Sequence, residues 1–139
     1  MGLDMYLHGK AYKRLMKREK DASGFEVSEV TYALAYWRKN HWLHGFMCEQ
    51  FADGVDDCTE MELSAEDLHL IIARLRRWLE DPEALLASDG FFFGSQFNEW
   101  RDECREQCAR QIPTIEKAIG WLEADQAHEW RSVTYQASW

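Results

Sequence analysis

The side chains best suited to chemistry in this sequence are histidines, cysteines and paired aspartates between residues 41 and 58. His41, His44, Cys48 and Cys58 are side-chain types that bind zinc. No CxxC pair accompanies them, and their spacing does not match a known zinc motif. We therefore expect the histidines to pack or to form hydrogen bonds, and the sequence predicts no metal ligand and no cofactor.

Asp56 and Asp57 could act together with His41 or His44. Carboxylates beside an imidazole can hold a hard cation or transfer a proton, although an Asp-Asp pair soon after a glycine is also an ordinary polar turn. The sequence contains no phosphate-binding loop, dinucleotide-binding motif, nucleophile elbow or HExxH motif. It therefore favours a protein without catalytic residues.

Aromatic side chains next to cationic ones form a third candidate, a binding surface. Trp37, Arg38 and Lys39 are consecutive, and Phe92 and Phe93 belong to a glycine-flanked loop. Such residue types dominate the energetics of protein interfaces and also stack on nucleic-acid bases. Most of the seven tryptophans in a domain of this size must nevertheless belong to its core.

Charge is distributed unevenly along the chain. The net charge of -9 argues against direct binding to nucleic acid, yet residues 10–20 carry six basic residues and one acid. Residues 53–67 carry seven acids and no base. An acidic face that includes Asp56, Asp57, Glu60 and Glu62 is therefore predicted as a surface for a charged partner.

The spacing of apolar residues predicts one long helix over residues 30–51, which would position most of this chemistry. Its core face would carry tyrosine, leucine, methionine and phenylalanine side chains. A second face would carry a line at i, i+4, i+7 and i+11. The members of that line are Trp37, His41, His44 and Cys48.

Strand signals flank this predicted helix. Alternating apolar residues predict strands over residues 3–8, 59–63 and 131–139. A capping box at residues 64–67 starts a helix, and a last helix follows Ser95 with a kink or a break near Pro113. We expect a mobile basic segment over residues 10–29. The fold class is α+β: one mainly helical domain over residues 1–139, with a small antiparallel sheet that pairs the N- and C-terminal strands.

Composition restricts the class of protein. With 46% hydrophobic and 14% aromatic residues, the chain has enough apolar side chains to fold. No apolar run approaches the roughly 20 residues of a membrane span, and the N-terminus lacks the layout of a signal peptide. Four cysteines without a dense disulfide framework agree with a reducing compartment. We therefore expect a cytoplasmic protein that does not associate with a membrane.

Several short motifs cover nearly the whole chain in order: residues 2–7 (GLDMYL), 36–40 (YWRKN), 56–58 (DDC), 90–95 (GFFFGS) and 135–139 (YQASW). Together they resemble the motifs of a family of small proteins common in tailed phages and prophages. The resemblance implies a phage accessory protein that acts in the host cytoplasm. The family has no agreed activity and no assigned catalytic residues, so the resemblance implies an origin and not a reaction.

Two functions are consistent with these features. The first is a non-catalytic accessory protein that binds a host or anti-phage defence protein through the acidic face, as an anti-defence inhibitor would. The alternative is a small-ligand or nucleotide-binding protein, with or without turnover. Its pocket would lie between the Trp37/His41/His44 face, Asp56-Asp57 and the phenylalanine loop. The oligomeric state, including a homo-oligomer, stays open.

Overall fold

A computed structural model describes residues 2–38, 40–80, 97–124 and 129–139. Within these residues the chain has an α+β fold, as predicted. The strands are β1 (Asp4–Lys13), β2 (Glu29–Arg38), β3 (Met61–Leu63) and β4 (Glu129–Ser138), and the α-helices are α1 (His41–Phe51), α2 (Ala65–Glu80) and α3 (Phe97–Glu123). One 3-10 turn, Leu15–Lys17, follows β1. None of the helices in the described residues is both long and apolar enough to cross a membrane.

The two terminal strands form the centre of the sheet. The strand order is β2-β1-β4-β3, and each neighbouring pair is antiparallel. β1 and β4 pair over their whole length, from Asp4 opposite Ser138 to Lys13 opposite Glu129. The predicted pairing of the N- and C-terminal strands is confirmed. β1 extends further than predicted, so residues 10–13 of the basic segment belong to the sheet.

The predicted long helix over residues 30–51 is wrong in its first half, because residues 29–38 form β2. A β-bulge accounts for part of the error. The register against β1 shifts between Leu7 and His8, which places Leu34 as an extra residue in β2. Tyr32 and Ala35 therefore lie on the same side of the sheet although three positions separate them. The bulge thus imitates helical spacing for this pair, whereas Tyr32 and Tyr36, four positions apart, lie on opposite sides of the sheet.

The core lies between one side of the sheet and the helices. Alternate residues of β1 and β4 point into it, together with the apolar faces of the helices. Fully buried members include Met5, Leu7, Val133, Tyr135, Leu43, Met47, Leu68, Leu75, Trp78 and Ile115. The opposite side chains of β1 are half-buried or exposed, so the helices cover only one side of the sheet.

A local signal marks the start of α2. The predicted capping box is present, because the Ser64 hydroxyl accepts from the Asp67 N–H at 3.1 Å and the Asp67 carboxylate accepts from the Ser64 N–H at 2.9 Å.

α3 is continuous through the exposed Pro113, so the predicted break there is wrong, while a kink stays a prediction. Buried side chains on both sides of the proline hold the helix together. The loop predicted over residues 90–95 and the cap by Ser95 lie outside the described residues.

Gly9 leaves room for an indole on the core side of β1. A Cβ at this position would lie 2.9 Å from two ring carbons of Trp121. The Arg131 guanidinium lies over the Trp121 ring, 4.6 Å from its centroid. Tyr32 packs against the same ring in a T-shaped arrangement. Gly9 is therefore required by a close approach and not by an unusual backbone conformation.

We expect Gly9→Ala to lower the free energy of unfolding by about 1–3 kcal/mol, because the ring has to move out of a packed site. Urea denaturation measures this change. Gly120→Ala is the matched control, since a Cβ there meets nothing within 4 Å, and a helical alanine should add about 0.5–1 kcal/mol. Equal stability of the two variants would contradict the packing account.

Candidate functional site

His44 is the centre of a buried polar cluster. α1 begins at the buried Asn40, whose side-chain oxygen accepts from the Leu43 N–H at 3.4 Å. One turn later, the His44 imidazole is only 4% exposed. Its Nδ1 lies 2.6 Å from the Tyr135 hydroxyl and its Nε2 lies 2.7 Å from Asp56 Oδ1. Both ring nitrogens therefore have partners, one on β4 and one on the turn after α1.

The hydrogen-bond partners assign the protons of this cluster. Burial, followed by the nearby Cys48 and Asp56, raises the pKa of the Tyr135 phenol above its usual range. The phenol therefore keeps its proton, and one arrangement of protons has the phenol donating to Nδ1 while Nε2–H donates to the Asp56 carboxylate. A neutral imidazole satisfies both contacts in this arrangement.

Cys48 completes the cluster without forming a catalytic relay. Its Sγ lies 3.5 Å from His44 Nε2, the same nitrogen that contacts Asp56. In a nucleophile–histidine–acid relay, the nucleophile and the acid use opposite ring nitrogens. Burial and then the Asp56 charge raise the pKa of the Cys48 thiol from 9.0 to about 12. The thiol is therefore held in its unreactive, protonated form.

The structure brings together only part of the predicted acid-base site. His44 and Asp56 are in contact, because backbone turns with positive φ at Asp53 and Gly54 return the chain toward α1. Asp57 points elsewhere, and its carboxylate accepts from the Thr59 N–H at 3.0 Å. Hydrogen bonding to the Thr59 side chain, followed by this bond to the Thr59 backbone, lowers the pKa of Asp57. The side chain of His41 lies outside the described part of the structure.

The predicted helical line of four side chains does not exist as one surface. Trp37 lies on β2 and is buried in the core, whereas His44 and Cys48 share α1. Arg38, the last residue of β2, is exposed and lies 4.0 Å from Asp4 Oδ1. Lys39, Phe92 and Phe93 lie outside the described residues.

Most of the acids predicted to form an acidic face have contacts within the chain. Asp56 contacts His44, Asp57 contacts Thr59, and Glu60 forms an ion pair with Lys10 at 2.7 Å. Glu62 is exposed on β3, opposite Thr134 of β4. The charge of this segment is therefore partly neutralised, and its role as a binding surface stays a prediction.

The side of the sheet away from the helices forms an aromatic surface that sequence reasoning missed. We define this open face as the even-numbered residues of β1 from 4 to 12, with the residues paired to them on β2 and β4. Tyr6 stacks on His8 with ring centroids 5.8 Å apart and packs against Tyr36 at 5.4 Å. Tyr12 and Trp130 pack at 5.7 Å near the other end, where Trp130 is 67% exposed.

The strand pattern of β1 could have located half of this surface. Alternation already placed Tyr6 and His8 opposite the core residues of β1. Tyr36 was missed because it was assigned to a helix, and Trp130 because its partner across the sheet was not known. Cross-strand pairing, which the sequence does not state, brings these rings together.

A groove runs between the open face and α3. Its volume is about 750 Å³. The side chains of Gln107 and Gln111 close its base by donating to the backbone oxygens of Arg38 and Tyr36, each at 3.1 Å. The lining residues include Tyr6, His8, Tyr36, Arg38, Arg110 and Thr114. His44 and Asp56 do not line this groove, so it is a different place from the predicted ligand pocket.

Comparisons of the chain with protein families, with curated proteins and with solved structures gave no match. The resemblance to the phage family therefore stays a prediction.

The raised pKa of Cys48 predicts a loss of stability in alkaline solution. The buried, protonated Cys48 thiol contributes its full stabilisation below the ordinary thiol pKa of 9.0. This contribution is lost as the pH rises toward about 12, because the thiol then ionises readily only in the unfolded chain. We expect the free energy of unfolding to fall less steeply over this range in Cys48→Ala than in the wild type. Chemical denaturation at a series of pH values measures the slope. Cys58→Ala is the control and should keep the wild-type slope; equal slopes in all three proteins would contradict the assignment.

Proposed function

We propose that this chain is a non-catalytic binding protein that docks a protein partner on the open face of its sheet. The observation that carries the proposal is the row of exposed aromatic side chains on the side that no described helix covers. Tyr36 is 47% exposed at one end of the row, and Trp130 is more exposed at the other. Tyrosine, tryptophan and arginine are the residues that most often anchor protein interfaces.

The length of the aromatic row favours a macromolecular partner over a small ligand. Tyr6 and Tyr12 are six positions apart on one strand, which corresponds to about 20 Å at roughly 3.3 Å per residue. A row of this length matches one dimension of a protein interface. Burying it in the fold would require another layer, and the described helices all serve the opposite side of the sheet.

Charge across the open face adds specificity. Arg38 lies on the β2 side, whereas Glu62 lies on β3 at the opposite edge, facing the same way. Exposed charges at known positions on this face restrict the orientation of a partner with complementary charge. The predicted acidic segment includes Glu62, so it contributes a negative charge at the β3 edge of the open face. The resemblance to phage accessory proteins makes a host or anti-phage defence protein the expected partner.

We expect Tyr36→Ala and Trp130→Ala each to weaken capture of the partner by roughly 30-fold, equivalent to about 2 kcal/mol. Immobilised wild-type and variant proteins are exposed to the same bacterial lysate, and the retained protein is quantified by mass spectrometry. Affinity is then measured with the purified partner.

Leu70→Ala is the matched control, because Leu70 is 45% exposed but lies on α2, on the other side of the molecule. This variant should capture the partner as the wild type does. A partner that is retained by both aromatic variants, or lost from Leu70→Ala, would show that the open face is not the docking surface.

The groove beside the open face supports a second candidate function, the binding of a planar anion such as a nucleotide. Tyr6 and His8 form a nearly parallel stack, with 7° between their planes, at the groove wall. Arg38 and Arg110 supply cations within the same groove. Aromatic faces bind bases and guanidinium groups bind phosphates, and the volume lies in the range of small-ligand pockets.

We expect ATP to bind the wild type in a calorimetric titration, and the double variant Arg38→Ala/Arg110→Ala to lose that heat at low ionic strength, because both phosphate-binding cations are removed. Arg77→Ala, which removes an exposed cation from α2, should bind as the wild type does. Absence of heat with the wild type at millimolar ATP, or unchanged binding in the double variant, would reject this candidate.

A further inference from the structure

We propose that His44, Cys48 and Asp56 form a binding site for one divalent ion that accepts sulfur ligands, with Zn²⁺ as the best match. One ligand atom from each residue lies within 4.8 Å of the others. Imidazole nitrogen, thiolate sulfur and carboxylate oxygen are the three ligand types of protein zinc sites. This proposal departs from the prediction of no metal ligand, which rested on the spacing of these residues and on the absence of a CxxC pair.

Two distances within the cluster can be compared with those of tetrahedral zinc coordination. Ideal zinc bond lengths place a sulfur and a nitrogen ligand about 3.5 Å apart, and a nitrogen and an oxygen ligand about 3.3 Å apart. Cys48 Sγ already lies 3.5 Å from His44 Nε2. Asp56 Oδ1 lies 2.7 Å from the same nitrogen. A movement of the Asp56 side chain by roughly half an ångström would bring the nitrogen–oxygen distance to its ideal value.

The positions of the ligands provide both rigidity and access. His44 and Cys48 lie four residues apart on α1, so the helix sets their spacing, and both are buried. Asp56 lies on the turn after α1, with 31% of its side chain exposed. The exposed carboxylate lets an ion enter from solvent, and three protein ligands leave a fourth position for water or another ligand.

Tyr135 supports the same site from behind. Its hydroxyl contacts His44 Nδ1, the nitrogen that would not bind the ion. Ligand histidines usually use this second nitrogen to fix the orientation of the ring. On binding, the Cys48 thiol releases its proton to solvent. The ion replaces the proton on His44 Nε2, and a proton is carried on Nδ1 instead. Nδ1–H then donates a hydrogen bond to the Tyr135 oxygen. The imidazole stays neutral, so one proton leaves for each ion bound.

Co²⁺ is the probe for this site, because a cobalt–thiolate bond gives a charge-transfer absorption that free Co²⁺ lacks. We expect the full chain, treated with a chelator and then titrated with CoCl₂, to develop this band with one equivalent of metal. Cys48→Ala should abolish the band, and Asp56→Asn should weaken Co²⁺ binding by at least about 100-fold. Tyr135→Phe should weaken it by about 10–100-fold through loss of the support to His44.

Cys58→Ala and Asp57→Asn are the matched controls, since they remove the same chemical groups a few residues away. Both should keep the band. Failure of the wild type to develop the band at saturating Co²⁺, persistence of the band in Cys48→Ala, or its loss in Cys58→Ala would overturn the proposal.

A second readout protects the test against a variant that does not fold. Asp56 lies on an exposed turn, so Asp56→Asn should fold, which circular dichroism checks. Zn²⁺ should raise the thermal unfolding midpoint of the wild type and of Asp57→Asn, but not that of Asp56→Asn. Equal shifts in all three proteins would also overturn the site.

Discussion

The pairing of β1 with β4 is the constraint on which the rest of this structure depends. The two ends of the chain form the centre of the sheet, and β2 and β3 can add only at its edges. Each central strand contributes buried side chains to the core that α1, α2 and α3 cover. Because this contact joins residues more than a hundred positions apart, the entropy of chain closure opposes it until the intervening helices pack. The sheet and the helical layer must therefore stabilise each other.

Strand register decides what the two sides of the sheet can do. Val133 and Tyr135 point into the core, whereas Trp130 and Gln136 point to the open face. A shift of β4 by one residue would exchange these sets, exposing a buried tyrosine and burying polar side chains. The bulge in β2 shifts the register of that strand against β1. On the far side of the bulge, Trp37 points into the core and Tyr36 joins Tyr6 on the open face. One alternation thus produces both the core and the aromatic surface.

Features that depend on local sequence could be predicted, and those that depend on pairing could not. The capping box at Ser64 and the alternation in β1 arise from neighbouring residues, and both are present. β2 was mistaken for a helix because Tyr32 and Tyr36 continue the apolar spacing of α1, and the strand pairing that puts them on opposite sides is not a local signal. His44 and Asp56 were candidates by residue type. Tyr135, the partner that fixes the His44 tautomer, comes from the opposite end of the chain and carries no local signal.

The polar cluster and the open face are connected through β4. Tyr135 contacts His44 on the core side, and the next residue, Gln136, lies on the open face, where its side-chain amide donates to the Cys58 backbone oxygen at 3.1 Å. Asp56 and Cys58 belong to the same turn. Tyr135 and Gln136, adjacent residues of β4, therefore contact both the His44 ring and the turn that carries Asp56. A displacement of this turn would alter the Asp56 contact with His44 and, through Gln136, the edge of the aromatic surface. The cluster and the surface therefore both contact the turn that carries Asp56 and Cys58.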